Sequence, residues 1–224
     1  MKYRFFKPYV GDFYDQGING KRIFVVGASF YCSRQECIYF SECTSTELKN
    51  SSIYDEICPV YKRYEKVLRN EPTYCVEDAP KTYRRFSETL KKITGAPSYE
   101  DSWRYVAFTN YVQFFLPSNG LNFRSTKPAD LSQRDFDAFI ETVEELKPDI
   151  IVIWGCVINY PIKETNQYII DRQMLLETNG YVCYMKYPNR ETNVAIINSY
   201  HPSSSSWYSC KNDFEFYLNK LINE

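Results

Sequence analysis

The sequence predicts one α/β domain: a three-layer α/β/α arrangement around a mainly parallel central sheet of four or five strands. Three observations carry this expectation. Short apolar runs recur at Ile23-Phe24-Val25-Val26, Ile150-Ile151-Val152-Ile153 and Val194-Ala195-Ile196-Ile197, as in strands covered on both faces. Segments with apolar residues at helical spacing alternate with them, the pattern of a layered α/β fold. The runs stop at glycine or polar turns, where open α/β sheets hold their ligands.

The totals agree. The chain has 224 residues, 44% hydrophobic and 25% charged, enough for one large core, so residues 1–224 are read as a single domain. A net charge of −1 lacks the basic surplus of indiscriminate nucleic-acid binders, although a local basic groove stays open. The start, MKYRFFKPYVGD, has no apolar signal core, and the longest apolar run, Ile150 to Ile158, is far short of the ~20 residues of a membrane span. A cytoplasmic protein with no membrane partner is therefore expected. Eight cysteines in such a chain read as reduced thiols.

Residues 1–20 are aromatic and read as irregular. Ile23 to Val26, ending in Gly27, reads as the first strand. A cysteine-rich excursion follows at about 31–80, with a helix over Ser51 to Asn70 as its only regular piece, and long excursions of this kind are commonly functional. Tyr83, Phe86, Leu90 and Ile93 predict a helix over 82–94 stopped by Gly95. Its other face carries Lys81, Arg84, Arg85, Lys91 and Lys92, either a solvated face or a track for phosphates.

WRYVAFTN, Trp103 to Asn110, is the second strand candidate, with Tyr111 to Phe115 continuing from it. LSQRDFDAFIETVEELKPD then predicts the clearest helix, with Ser132 and Asp135 as a capping box, an apolar face from Phe136 to Leu146, and Pro148 as terminator. Ile150 to Trp154, closed by Gly155, is the next strand. A helix is expected over 162–178, an edge strand over 181–187, a strand over 193–198 and a last helix over 213–222. The parallel strands thus fall near 22–27, 105–110, 149–154 and 193–198.

Three strand ends carry the chemistry: Gly27-Ala28-Ser29-Phe30-Tyr31, Thr109-Asn110 and His201-Pro202-Ser203. His201 is the chain's only histidine. In this order and spacing the chain resembles the uracil-DNA glycosylase superfamily. VAFTNYVQ looks like that family's Ile-Thr-Asn-Val-Val-Lys segment, KPDIIVIWG like its strand ending in Leu-Gly, and NSYHPSSS like its Tyr-His-Pro-Ser. With the first strand these stretches cover about half the chain at low identity.

The resemblance implies an N-glycosidase acting on uracil or another deaminated base flipped from single- or double-stranded DNA, working as a monomer without a cofactor. It implies His201 as the donor facing the base oxygen, where negative charge develops. Asn110, whose amide both donates and accepts, fits the edge of the base. Gly27, Ala28, Phe30 and Tyr31 would shape the base pocket, and Ser203, Ser204, Lys91 and Lys92 would hold phosphates. Where the family places an acid, this chain has Ala28 and Ser29, so Ser29 stands at the catalytic position without a carboxylate's charge. Either Glu36, Glu42, Asp55 or Glu56 enters from the excursion, or the scaffold binds nucleic acid or nucleotide without hydrolysing it. Cys32, Cys37, Cys43 and Cys58 contain no Cys-x-x-Cys pair, so free thiols rather than a metal site are the default expectation. A metal-stabilised interaction protein with no nucleic-acid role is the third reading.

Overall fold

A computed structural model describes residues 4–33, 81–118, 126–163, 172–186 and 191–224. The helix expected over 51–70, the acids Glu36, Glu42, Asp55 and Glu56, and Cys37, Cys43 and Cys58 lie outside the described residues. The fold is mixed α/β. Its main sheet has six strands in the order β1-β4-β2-β6-β8-β7: β1 (Tyr9–Val10), β2 (Ile23–Gly27), β4 (Val106–Asn110), β6 (Ile150–Trp154), β7 (Val182–Met185) and β8 (Val194–Ser199). The central four, β4-β2-β6-β8, run parallel, and β1 and β7 close the edges antiparallel. Among the described residues six strands replace the four or five expected, because Tyr9–Val10 pairs with Phe108 and Ala107 in a segment that reads as irregular.

Alternation along each strand builds two cores. Phe24, Val26, Ile151, Ile153, Val194 and Ile196 face one way, onto Phe139 and Val143 of α3 (Gln133–Leu146) and Ile158 and Ile162 of α4 (Cys156–Lys163). Ile23, Val25, Ile150, Val152, Trp154, Ala195 and Ile197 face the other way. They meet Tyr83, Phe86 and Leu90 of α1 (Lys81–Thr94), Trp103 of α2 (Tyr99–Trp103), and Trp207, Phe214 and Leu218 of α6 (Trp207–Asn223). Fully buried strands with helices on both faces are why these runs are apolar at every position rather than at every second one.

Several boundaries differ from the sequence reading for local reasons. Trp103 closes α2 rather than opening β4: Ser98 caps that helix by accepting the Asp101 N–H, and the Trp103 indole donates to Ser87 Oγ at 2.7 Å. The C-terminal helix starts at Trp207, six residues before Asp213, because Trp207 and Cys210 continue the buried stripe of Phe214, Leu218 and Leu221. Of the helix expected over 162–178, residues 164–171 lie outside the described set; on either side of them are α4, which begins at Cys156, and α5 (Arg172–Glu177). The capping box of α3 is present in full: Ser132 N–H and hydroxyl both donate to Asp135, whose own N–H points back to Ser132.

The chain after β2 and the chain after β4 leave the sheet together. Tyr111 N–H donates to Gly27 O at 2.9 Å and Val112 N–H to Ala28 O at 3.0 Å, and the pairing resumes as a separate parallel ribbon of β3 (Phe30–Ser33) and β5 (Phe115–Ser118). Residues 111–115 therefore do carry on from the second strand, but through a bend and in another sheet.

Candidate functional site

The order β4-β2-β6-β8 places the first and third of these parallel strands side by side, with the second and fourth flanking them. Connections out of β2 and β6 diverge there, making the topological switch point at which open α/β sheets leave a crevice beyond their carboxyl ends. Register aligns those ends: Gly27 stands opposite Asn110, and Trp154 opposite Ser199. Gly27, Asn110 and the His201 turn therefore share one edge of the sheet.

Gly27 is glycine for a steric reason. A Cβ there would fall on Asn110 Oδ1 and come within 3.1 Å of the Phe108 ring, so the missing side chain is the seat of the Asn110 amide. Asn110 is 4% exposed, and its side-chain amide makes no hydrogen bond among the described residues. Its backbone is fixed by Gln113, whose Nε2 donates to Asn110 O at 2.7 Å. The Gln113 Oε1 accepts the N–H groups of Phe5 and Phe6 at 3.0 and 3.1 Å, and its own N–H donates to Asp135 at 2.7 Å. The bend after β4 is thus tied to the N-terminal segment and to the start of α3. Burial pushes the Asp135 carboxyl up to about 6 despite the hydrogen bonds it accepts from Gln113 and Ser132.

Gly155 ends β6 at φ +97, a left-handed conformation, and a Cβ built on it would lie 3.6 Å from His201 Cβ. His201 thus stands over the end of β6. Its turn is closed by Ser204 N–H donating to His201 O at 2.8 Å. Within the turn Ser203 N–H donates to Nδ1 at 3.3 Å, with Ser203 Oγ 2.7 Å from the same nitrogen. A backbone N–H is an obligatory donor, so Nδ1 is the acceptor and the neutral ring carries its hydrogen on Nε2. Burial holds the imidazole well below its ordinary range, at about 4, so near neutral pH it is an uncharged donor. Among the described residues burial is the cause of that shift, and no carboxylate among them contributes to it.

The other candidate residues divide. Ser29 Oγ lies 2.7 Å from Thr126 Oγ1, and Tyr31 OH 3.3 Å from it. Thr126 is a hydroxyl and not a base, so this contact does nothing to activate Ser29 as a nucleophile. Ala28 and Tyr31 are half-buried and pack on the core beneath α3, and Phe30 packs edge-on against Phe6 with ring centroids 4.9 Å apart. The Ser203 hydroxyl points its hydrogen at Nδ1 in this tautomer, whereas Ser204 Oγ accepts the Ser206 N–H at 3.1 Å and keeps its hydrogen for an outside acceptor. Lys91 and Lys92 sit in the last turn of α1, Lys91 over the Tyr99 ring at 5.6 Å and Lys92 bonded to the buried Glu215 at 2.7 Å. They are six and seven residues beyond Arg85, the member of that basic face that reaches the His201 turn, or about 10 Å along the helix.

Gln113 and Thr126 are structural parts of the site that the sequence reading did not single out. Gln113 lies inside the VAFTNYVQ stretch, which is a signal for it; Thr126 has none. Among the described residues no group of three or more His, Cys, Asp and Glu side chains is placed to hold a metal ion, and no helix is long and apolar enough to cross a membrane. No protein-family model matches the chain, and no curated protein matches it.

Proposed function

We propose that this chain is an N-glycosidase-like protein that takes a uracil or another deaminated base, flipped from DNA, into the crevice above β2 and β6. The observation that carries the reading is the pairing of Asn110 over Gly27 with His201 over Gly155 at the switch point. An amide that donates and accepts suits the edge of a uracil-like ring, where an N–H stands next to a C=O. A neutral imidazole with hydrogen on Nε2 suits the oxygen on which negative charge grows as the glycosidic bond breaks. Such a donor strengthens its hydrogen bond as the charge develops, without having to give up its proton. Ser204 would donate to a flanking phosphate. The sequence resemblance stated above points the same way.

A second reading has its own observation. Ala28 and Ser29 carry no carboxylate, Ser29 is engaged with Thr126, and no acid among the described residues perturbs His201. On this reading the crevice binds a nucleobase and does not hydrolyse it. One experiment separates the two. The protein is incubated with single- and double-stranded oligonucleotides carrying uracil, hypoxanthine or xanthine; abasic sites are read by alkaline cleavage, and binding is measured at two salt concentrations. Excision that is lost in His201→Ala supports the glycosidase. Salt-dependent binding with no excision supports the binding module, and neither excision nor binding overturns both.

A further inference from the structure

Arg85 reads in the sequence as one of five cations on the outer face of a helix, yet it does not simply face solvent. Its Nη1 donates to Pro202 O at 2.8 Å and to Ser204 O at 3.2 Å, and its guanidinium carbon lies 4.9 Å from the centroid of the Tyr208 ring. Both carbonyls belong to the His201–Ser204 turn, whose other hydrogen bonds are internal to the turn or run to the start of α6, while the His201 ring itself rests edge-on against Trp154 with centroids 6.1 Å apart. A planar guanidinium that bridges two carbonyls and rests on an aromatic face fixes a loop in a way that a flexible ammonium does not.

We propose that Arg85 is a positioning residue for His201: by holding the Pro202 and Ser204 carbonyls it keeps the Ser203 N–H on Nδ1 and so fixes the tautomer that presents Nε2–H. The turn is His201-Pro202-Ser203-Ser204, with Pro202 buried and Ser203 exposed, and its shape sets which ring nitrogen meets a donor. Releasing both carbonyls frees Ser203 to leave Nδ1, after which the ring exchanges tautomers as it does in water. The inference rests on the proposed function only in taking His201 as the working donor, and it is tested without DNA.

Because His201 is the only histidine, a long-range ¹H–¹⁵N correlation spectrum of uniformly labelled protein contains a single imidazole. In the wild type Nδ1 is expected at the unprotonated position and Nε2 at the protonated one, with a titration midpoint near 4. Arg85→Ala is expected to bring the two nitrogen shifts together and to raise the midpoint towards the ordinary value of about 6.5. Arg85→Lys, which keeps a donor but not the planar group that rests on the Tyr208 ring, should restore the wild-type spectrum in part. Thr89→Val is the control: it removes a 2.8 Å hydrogen bond to Glu215 from the same helix, and is expected to lower stability without moving the imidazole signals. A folded Arg85→Ala protein with the wild-type tautomer and midpoint overturns the proposal, as does a Thr89→Val spectrum shifted as far as that of Arg85→Ala. Should Arg85→Ala fail to fold, Arg85→Gln, which reaches one carbonyl at most, decides by the same two outcomes. Absence of excision by the wild type would sink the glycosidase reading and leave the tautomer result standing.

Discussion

Asn110 ends β4 and His201 follows β8, the strands on opposite flanks of the β2–β6 pair, and each stands over a glycine at the end of one of those two central strands: Asn110 over Gly27, His201 over Gly155. Adjacent strands lie about 5 Å apart, so the two glycines bring polar groups from strands three positions apart to the ends of two neighbouring strands. The two glycines are needed for different reasons, which makes them separable by mutation.

Gly27→Ala forces a methyl group into the seat of the Asn110 amide and against Phe108. Its expected cost is about 1–3 kcal/mol, the range for overpacking a filled site, with loss of whatever Asn110 binds. At Gly155 a methyl finds ordinary contact with His201 at 3.6 Å, but φ +97 opposes any side chain. Gly155→Ala is expected to cost about 1–2 kcal/mol through the backbone. Urea unfolding of both variants, with oligonucleotide binding measured alongside, checks the contrast: equal binding by Gly27→Ala and wild type would contradict the assigned seat.

The depressed His201 pKa fixes the sign of one pH effect. Above about 6.5 the ring is neutral in both folded and unfolded chains, so it contributes no pH dependence. As pH falls towards about 4, protons bind the unfolded chain but not the folded one, and stability is lost across that window. His201→Asn should therefore lose less stability than the wild type between pH 7 and pH 4.5. A wild-type histidine that titrates near 6.5 would refute the prediction.

Asp135 has the opposite sign. Its carboxyl is pushed up to about 6 in the fold from an ordinary 3.8, so raising the pH from about 4 to 6 ionises the unfolded chain first and withdraws stability. Asp135→Asn keeps one acceptor for the Gln113 or Ser132 N–H but turns an NH₂ towards the other donors. A cost of about 1–3 kcal/mol is expected, largest near pH 4 and smaller at pH 7 where the wild type has lost its advantage. Denaturant unfolding at the two pH values reads it directly.

Tyr111 OH is buried with no hydrogen-bond partner among the described residues, and burial, with Asp135 nearby, raises its pKa. Its ring is already packed against Phe139 at 6.0 Å, so Tyr111→Phe removes only the unsatisfied hydroxyl. The variant is expected to be more stable than wild type by about 1 kcal/mol, seen as a higher melting temperature. A destabilised variant would mean that the hydroxyl has a partner that matters.

For the proposed glycosidase, His201→Ala removes the donor aimed at the leaving base. A fall of about 10²- to 10³-fold in excision rate is expected, with a much smaller change in binding. Equal losses in rate and in affinity would instead mark His201 as a binding group.

Much of the fold was legible in short stretches because its causes are local. A strand covered on both faces must be apolar at every position, and Ile23 to Val26 and Ile150 to Ile153 are. A helix start must satisfy its first N–H groups, and Ser132 with Asp135 does so within four residues. The three marked strand ends were legible too, since parallel strands of similar length bring their carboxyl ends to one edge. What the sequence could not carry is which distant residues meet. Ser29 finds Thr126 across 97 positions, Gln113 finds Phe5 across 108, and Arg85 finds Pro202 across 117. The same basic helix face holds Arg85, which braces the His201 turn, and Lys92, which neutralises Glu215, and nothing in their spacing tells them apart. Strand order and helix packing settle those partners, because a side chain's role depends on which polar group the burial of two apolar faces happens to bring within 3 Å of it.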